Sequence, residues 1–382
     1  MTTWFMRGRH AVCAALSMLG LSILPGHLAA QSPDIVIGQS VVLSGPMAAN
    51  GVLYAQGIGL QFEAINARGG INGRKLRLVA ADDAYNADKC KANTERFLAS
   101  DGVVALLGYA GTGPTMACAP LAEQAQVPLV APLTGAPELR NGNARYLFHV
   151  RASYVDEMKK MVRHLTTVGV RNIAIAYQDD PFGRSGLKSA ELVMAEFGLE
   201  PTAVGAIVAG SYDATRAAAE VAATDPAAVI LASAGTASVN FIRAYRALGK
   251  RAQFFGLSVV SSNQLVGELG DDADGVVISQ VVPPPTSRAW QIVREFQRDI
   301  EATGRDVEIN HTTLEGYIAA KVLVEAIRRA GSTVTPERIV QGLESMSNVS
   351  IGGFEISFGP DSRAGSHYVE LSMVRSTGRF VH

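Results

Sequence analysis

Short apolar runs rich in β-branched residues alternate with amphipathic stretches of helical period along almost the whole chain. The run from Asp34 to Leu43 predicts a strand that enters a loop. Between Leu53 and Ala67, Ile58, Phe62 and Ile65 recur at helical spacing, and Gly69-Gly70 ends that helix. Strands are expected at 76–81, 103–107 and 127–131, with a helix at 88–99 and another after Pro114. After Arg151 the alternation starts afresh. A helix at 157–167 places Met158, Met161, Val162 and Leu165 on one face, and strands follow at 172–177, 204–208, 228–232, 254–257 and 276–279. Long helices are expected at 290–303 and 313–330, and the tail from Phe354 to Val381 reads as strand pairs.

Strand–helix alternation of this kind specifies parallel sheets with helices on both faces, so the fold class is α/β. Two successive series predict two doubly wound lobes. In such sheets ligands bind beyond the carboxyl ends of the strands. The loops that matter are then 44–51, 108–114, 133–136, 178–183, 233–235 and 257–261.

The first 30 residues change the picture of where the protein works. Arg7, Arg9 and His10 precede an apolar run from Ala11 to Leu24, and Leu28-Ala29-Ala30 supplies small residues for cleavage. That order is a secretory signal peptide cut near Ala30, giving a periplasmic protein. A retained membrane anchor is the competing reading, but the run is shorter than the roughly 17–25 residues a spanning helix needs. Loss of residues 1–30 removes two arginines and no acid, which moves the net charge from −1 to −3. Nucleic acid demands a basic face, so that partner class is excluded. Cys90 and Cys118 remain as an even pair in an oxidising compartment, either one disulfide or two buried thiols. The histidines are scattered with no metal-ligand spacing, and no cofactor motif is present. There is no GxSxG elbow, no HExxH, and no histidine in the cleft loops to activate a nucleophile, so an enzyme is not expected.

Several loops carry short motifs in a telling order: Leu43-Ser44-Gly45-Pro46, then Ala64 to Gly73, Asp82-Asp83, the turn Gly108–Thr115, Ala131-Pro132, Ala136 to Leu139, and Pro181-Phe182-Gly183. In order and spacing, from residue 34 to the end, the chain resembles the leucine/isoleucine/valine-binding protein family of ABC-transporter components. That resemblance implies a type I periplasmic binding fold, with two lobes joined by three crossings. Lobe one is expected at 34–151 plus 283–346, and lobe two at 152–282 plus 347–382. It also implies a small-molecule ligand, an amino acid or other organic acid, captured by hinge closure and delivered to an inner-membrane ABC permease. A periplasmic sensor passing the closed state to a signalling receptor is the alternative.

The expected ligand contacts follow from the loops. In the turn at 108–115, Ala110 and Gly111 bring backbone close to a guest, and the helix start presents free N–H groups to an anion. Thr112 matches the family's carboxylate-binding serine. Thr134 and Gly135 stand where the family supplies a carbonyl and further donors. Asn50 takes the place of an aromatic at the pocket mouth, and Ser44 nearby either touches the ligand or caps the next helix. Phe182 resembles the aromatic that packs on the ligand from lobe two. Ser258 stands where amino-acid binders carry a glutamate for the ammonium. Burying an ammonium without an anion is costly, so a carboxylate lacking an α-amino group fits at least as well. Asp180 is a candidate substitute anion, which keeps an amino acid open as the ligand. Arg151 and Asp156 flank the first crossing as hinge and helix-start residues, and Glu315 faces the hinge.

Overall fold

The computed structural model of the protein describes residues 33–100, 102–140, 144–375 and 380–381. The expected export signal and its cleavage point at Ala30 lie outside the described residues. Strand β1 (Ile35–Val41) is buried at every position, as a central parallel strand covered on both faces must be. It lies between β2 (Leu76–Asp82) and β3 (Ala105–Leu107), with β4 (Leu129–Val130) and β5 (Leu147–Phe148) beyond. The sheet is parallel throughout, in the order β2-β1-β3-β4-β5. Helices α1 (Ala48–Ala67), α2 (Ala87–Ser100) and α3 (Thr112–Ala125) make the crossovers.

The period-two alternation of β1 sorts its side chains between two cores. Ile35 and Ile37 enter one with Ala105 and Leu107, while Val36 joins Leu106 and Leu129 in the other. The second of these holds Cys90 of α2 and Cys118 of α3, which are disulfide-bonded and fully buried. Closing a loop with a sequence separation of 28 adds on the order of 3 kcal/mol.

After β5 the chain crosses over through α4 (Tyr154–Thr167) into a second sheet. There β6 (Ile173–Gln178), β7 (Val204–Ile207), β8 (Ala228–Ala232), β9 (Gln253–Gly256) and β10 (Val277–Gln280) run parallel in the order β7-β6-β8-β9-β10. Helices α5 (Pro181–Glu196), α6 (Thr215–Ala222), α7 (Thr236–Ala247) and α8 (Ser262–Leu269) interleave with them. The chain then returns to the first core with α9 (Gln291–Thr303), α10 (His311–Ala330) and α11 (Pro336–Glu344). Here α1 and α10 touch backbone to backbone: a Cβ on Gly57 would collide with the Thr313 carbonyl, and one on Gly316 with that of Tyr54.

The short hairpin β11 (Val349–Ile351) and β12 (Phe354–Ile356) also belongs to the first core. Ile351, Phe354, Ile356 and Phe358 bury against the first core, and only β13 (Glu370–Val374) and β14 (Phe380–Val381) add antiparallel edge strands to the second sheet. The tail is strand pairs as expected, its hairpin packed on the first core and its last two strands added to the second sheet. Among the described residues no helix is long and apolar enough to cross a membrane.

Candidate functional site

Both sheets reverse their winding once, between β1 and β3 in the first and between β6 and β8 in the second. The carboxyl ends of those four strands meet across one cavity. Its walls include Val42 after β1, Ala110 and Gly111 after β3, Phe182 after β6 and Ala234 after β8, with Met47, Asn50, Gly51, Tyr85, Leu133, Tyr154 and Val259 completing them. The cavity is small, about 40 Å³, with room for a few waters.

Winding a parallel sheet this way also brings helix starts to the strand ends. Four of them rim the cavity: α1 with Met47 and Asn50, α3 with Gly111, α5 with Phe182, and α7 with Ala234. Each carries N–H groups with no intrahelical partner and the positive end of a helix dipole. At α3 the free donors are those of Thr112 and Gly113, because Pro114 has none. Gly111 makes that approach possible. Its φ of 92° and ψ of 148° suit glycine, and a methyl there would overlap the Tyr85 ring. Asp180 caps α5, accepting from Gly183 N at 2.9 Å.

Of the residues expected to touch a ligand, Asn50, Ala110, Gly111 and Phe182 line this one cavity. Asn50 donates to the Val259 carbonyl of the opposite side, which leaves its Oδ1 without a hydrogen-bond partner. Thr112 and Thr134 lie in the layer behind the wall. Their hydroxyls bond each other at 2.7 Å, and Thr134 Oγ1 lies 3.4 Å from the Tyr154 hydroxyl. Gly135 serves packing: a side chain there would strike Tyr154, whose N–H donates to the Gly135 carbonyl at 2.8 Å. Ser44 is exposed and donates to Asp82, away from the cavity wall.

Ser258 is engaged elsewhere. Its hydroxyl accepts from Arg151 Nη2 and its N–H donates to Glu157 Oε2 at 2.8 Å, so that Val259 faces the cavity instead. Arg151, only 2 % exposed, sits where the chain first crosses. It pairs with Glu157 of α4 at 3.5 Å and with Glu315 of α10 at 3.6 Å, one acid from each side of the crossing. Burial pushes the Glu315 carboxyl up to about 6, against the pull of Arg151 and with the help of Glu157. Asp156 forms a capping box with Ser153 at the start of α4, as a helix-start residue should.

Two contributors carried no sign in the sequence pattern. Tyr85 follows the turn opened by Asp82 and Asp83, with a φ of 61°. Asp83 Oδ1 holds its N–H at 2.9 Å, which turns the ring against Gly111 and lets its hydroxyl donate to Asp180 across the cavity at 3.2 Å. Burial raises the Asp180 carboxyl, opposed by the hydrogen bonds of Gly183, Gln178 and Tyr85. Tyr154 lines the cavity from the first turn of α4, edge-to-face with Phe182 at 5.6 Å. No histidine, cysteine, aspartate or glutamate is among the described cavity residues, and no described cluster of such groups is placed to hold a metal.

Two doubly wound sheets facing one another over a shared cleft, linked by three crossings, define a type I periplasmic binding fold. The chain matches the periplasmic binding protein family over residues 34–379 and belongs to it. The resemblance carried by the loop motifs therefore holds, and membership implies a periplasmic location. A substrate-binding periplasmic protein from Ralstonia solanacearum is 35% identical, with a TM-score of 0.86, covering 91% of this chain and 99% of that one. A possible leucine/isoleucine/valine-binding protein from Rhodopirellula baltica SH 1 is 26% identical, with a TM-score of 0.87 over 92% of this chain and 97% of that one. An amino acid binding protein of Pseudomonas aeruginosa is 24% identical over 340 residues, 87% of this chain and 86% of its own.

Proposed function

We propose that this protein captures a small carboxylate-bearing molecule by closing two lobes on it, without altering it, and delivers it to an inner-membrane ABC permease. The observation that carries the reading is the convergence of three helix starts without a side-chain cap, those of α1, α3 and α7, on one cavity whose described walls hold no acidic side chain. Such a rim favours an anion. A carboxylate at the start of α3 would accept from the Thr112 and Gly113 N–H groups in charge-assisted bonds. Delivery to a permease rests on the family, and relatives that include an amino acid binding protein support a small carboxylate-bearing cargo.

Closure is supported by bonds that exist only while the two sides meet: Tyr85 to Asp180, Asn50 to the Val259 carbonyl, and Ser185 to Glu138 at 2.6 Å. We assign the lobe boundary by packing, with 34–148 and 283–358 in lobe one. Ligand contacts available from both lobes only when shut shift the population to the closed form. A thermal-shift screen of amino acids and organic acids tests the reading. Stabilisation by acids and not by their amides supports it, and a broad panel without effect contradicts it.

A further inference from the structure

We infer that the cavity selects an apolar carboxylic acid that carries no α-ammonium, in preference to the amino acid of the same skeleton; this rests on the carboxylate reading above. The walls that would enclose the body of the guest are Val42, Met47, Leu133, Phe182, Ala234 and Val259. An ammonium enclosed there needs an anion or several acceptors, because burying it unpaired is prohibitive.

Asp180, which bonds the Tyr85 hydroxyl, and Glu157, which bonds the neighbour of Val259, are already committed. Asp180 accepts from Gly183 N at 2.9 Å, Gln178 Nε2 at 2.5 Å and the Tyr85 hydroxyl at 3.2 Å, and Tyr85 rather than Asp180 forms the wall. Glu157 accepts from Ser258 N at 2.8 Å and Ser279 Oγ at 2.6 Å, and also faces Arg151. Next to the wall residue Val259 stands Ser258, and bonded to it is the guanidinium of Arg151, a cation. The starts of α1, α3 and α7, which carry no side-chain cap, add positive potential. Among the described wall residues, the one side-chain acceptor without a partner is the neutral Asn50 Oδ1, a single site against the three N–H donors of an ammonium.

Titration calorimetry on the full exported chain, freed of co-purified ligand by partial unfolding and refolding, tests this with matched probes. The pairs are leucine with 4-methylpentanoate and phenylalanine with 3-phenylpropanoate, and 3-phenylpropanamide serves as the probe without a carboxylate. At least one deaminated acid should bind tenfold or more tightly than its amino acid, and the amide should not compete. An amino acid that binds as well as or better than its deaminated partner overturns the inference while leaving the carboxylate reading intact. No binding by any acid or amino acid, or equal binding by the amide, overturns both. Asn50→Asp gives a second readout. Its loss of the Val259 contact weakens both members of a pair alike, but the new charge should move their affinity ratio at least tenfold towards the amino acid. An unchanged ratio contradicts the inference that the lack of an anion at this wall sets the preference.

Discussion

Replacing Gly111 by alanine puts the wall of the cavity under direct test. The backbone there has φ 92° and ψ 148°, a region that non-glycine residues enter at a cost of about 1–3 kcal/mol. The added methyl also overlaps Tyr85 Cε2 and lies 3.0 Å from its Cδ2, so the ring must leave its seat. That displaces the hydroxyl from Asp180, a hydrogen bond contributing about 1 kcal/mol. The two costs fall on different measurements. Backbone strain is present whether the lobes are open or shut, so urea unfolding of the unliganded protein should lose about 1–3 kcal/mol. The lost bond to Asp180 crosses the cavity and counts only in the closed form, so affinity for a bound carboxylate should fall further, by about fivefold for 1 kcal/mol. Wild-type unfolding together with wild-type affinity in Gly111→Ala would refute the geometry assigned to this turn.

Three further outcomes follow from the same contacts. Tyr85→Phe removes only the bond to Asp180, so ligand affinity should drop about two- to tenfold with the unliganded urea midpoint unchanged. Arg151→Met leaves Glu157 and Glu315 buried without their cation and should cost about 3–5 kcal/mol in urea unfolding, part of it recovered by adding Glu157→Gln and Glu315→Gln. Glu315 is held up to about 6 from 4.5, so between those values the folded protein keeps a proton that the unfolded chain has released. Its contribution to stability therefore falls as pH rises through that window and stays lost above it, by about 2 kcal/mol. Urea midpoints from pH 4 to 7 should fall less steeply in Glu315→Gln. Asp83, also raised to about 6 by burial, adds the same sign in both proteins, so the difference between the two curves isolates Glu315.

The alternation that specifies the two sheets was legible because it depends on period alone. Ile58, Phe62 and Ile65 recur at helical spacing and are buried in α1, and the run from Asp34 to Leu43 contains the fully buried β1. The loops at the strand ends were legible for the same reason, since a doubly wound sheet can present a cleft only there. What the pattern does not encode is which side of a loop residue faces the cleft. Ser258 and Val259 are neighbours, yet one turns to Arg151 and the other to the cavity. Gly135 sits in a cleft loop, but its lack of a side chain makes room for Tyr154, 19 residues on, a packing relation invisible to spacing. Tyr85 is brought to the cavity by two consecutive residues of positive φ, neither of them glycine, a conformation imposed by Asp82 and Asp83 through their bonds to the Ala84 and Tyr85 N–H groups. In the tail, alternating Phe354 and Ile356 announce a strand without saying which core will bury them.

A crystal structure with the tightest-binding carboxylate from the matched pairs bears most directly on capture at the helix starts. Its oxygens should lie about 2.7–3.2 Å from the Thr112 and Gly113 N–H groups, with the body of the guest between Phe182 and Val259 and its covalent structure intact. A carboxylate pointing away from α3, or a guest held by one lobe alone with the other turned aside, would contradict it.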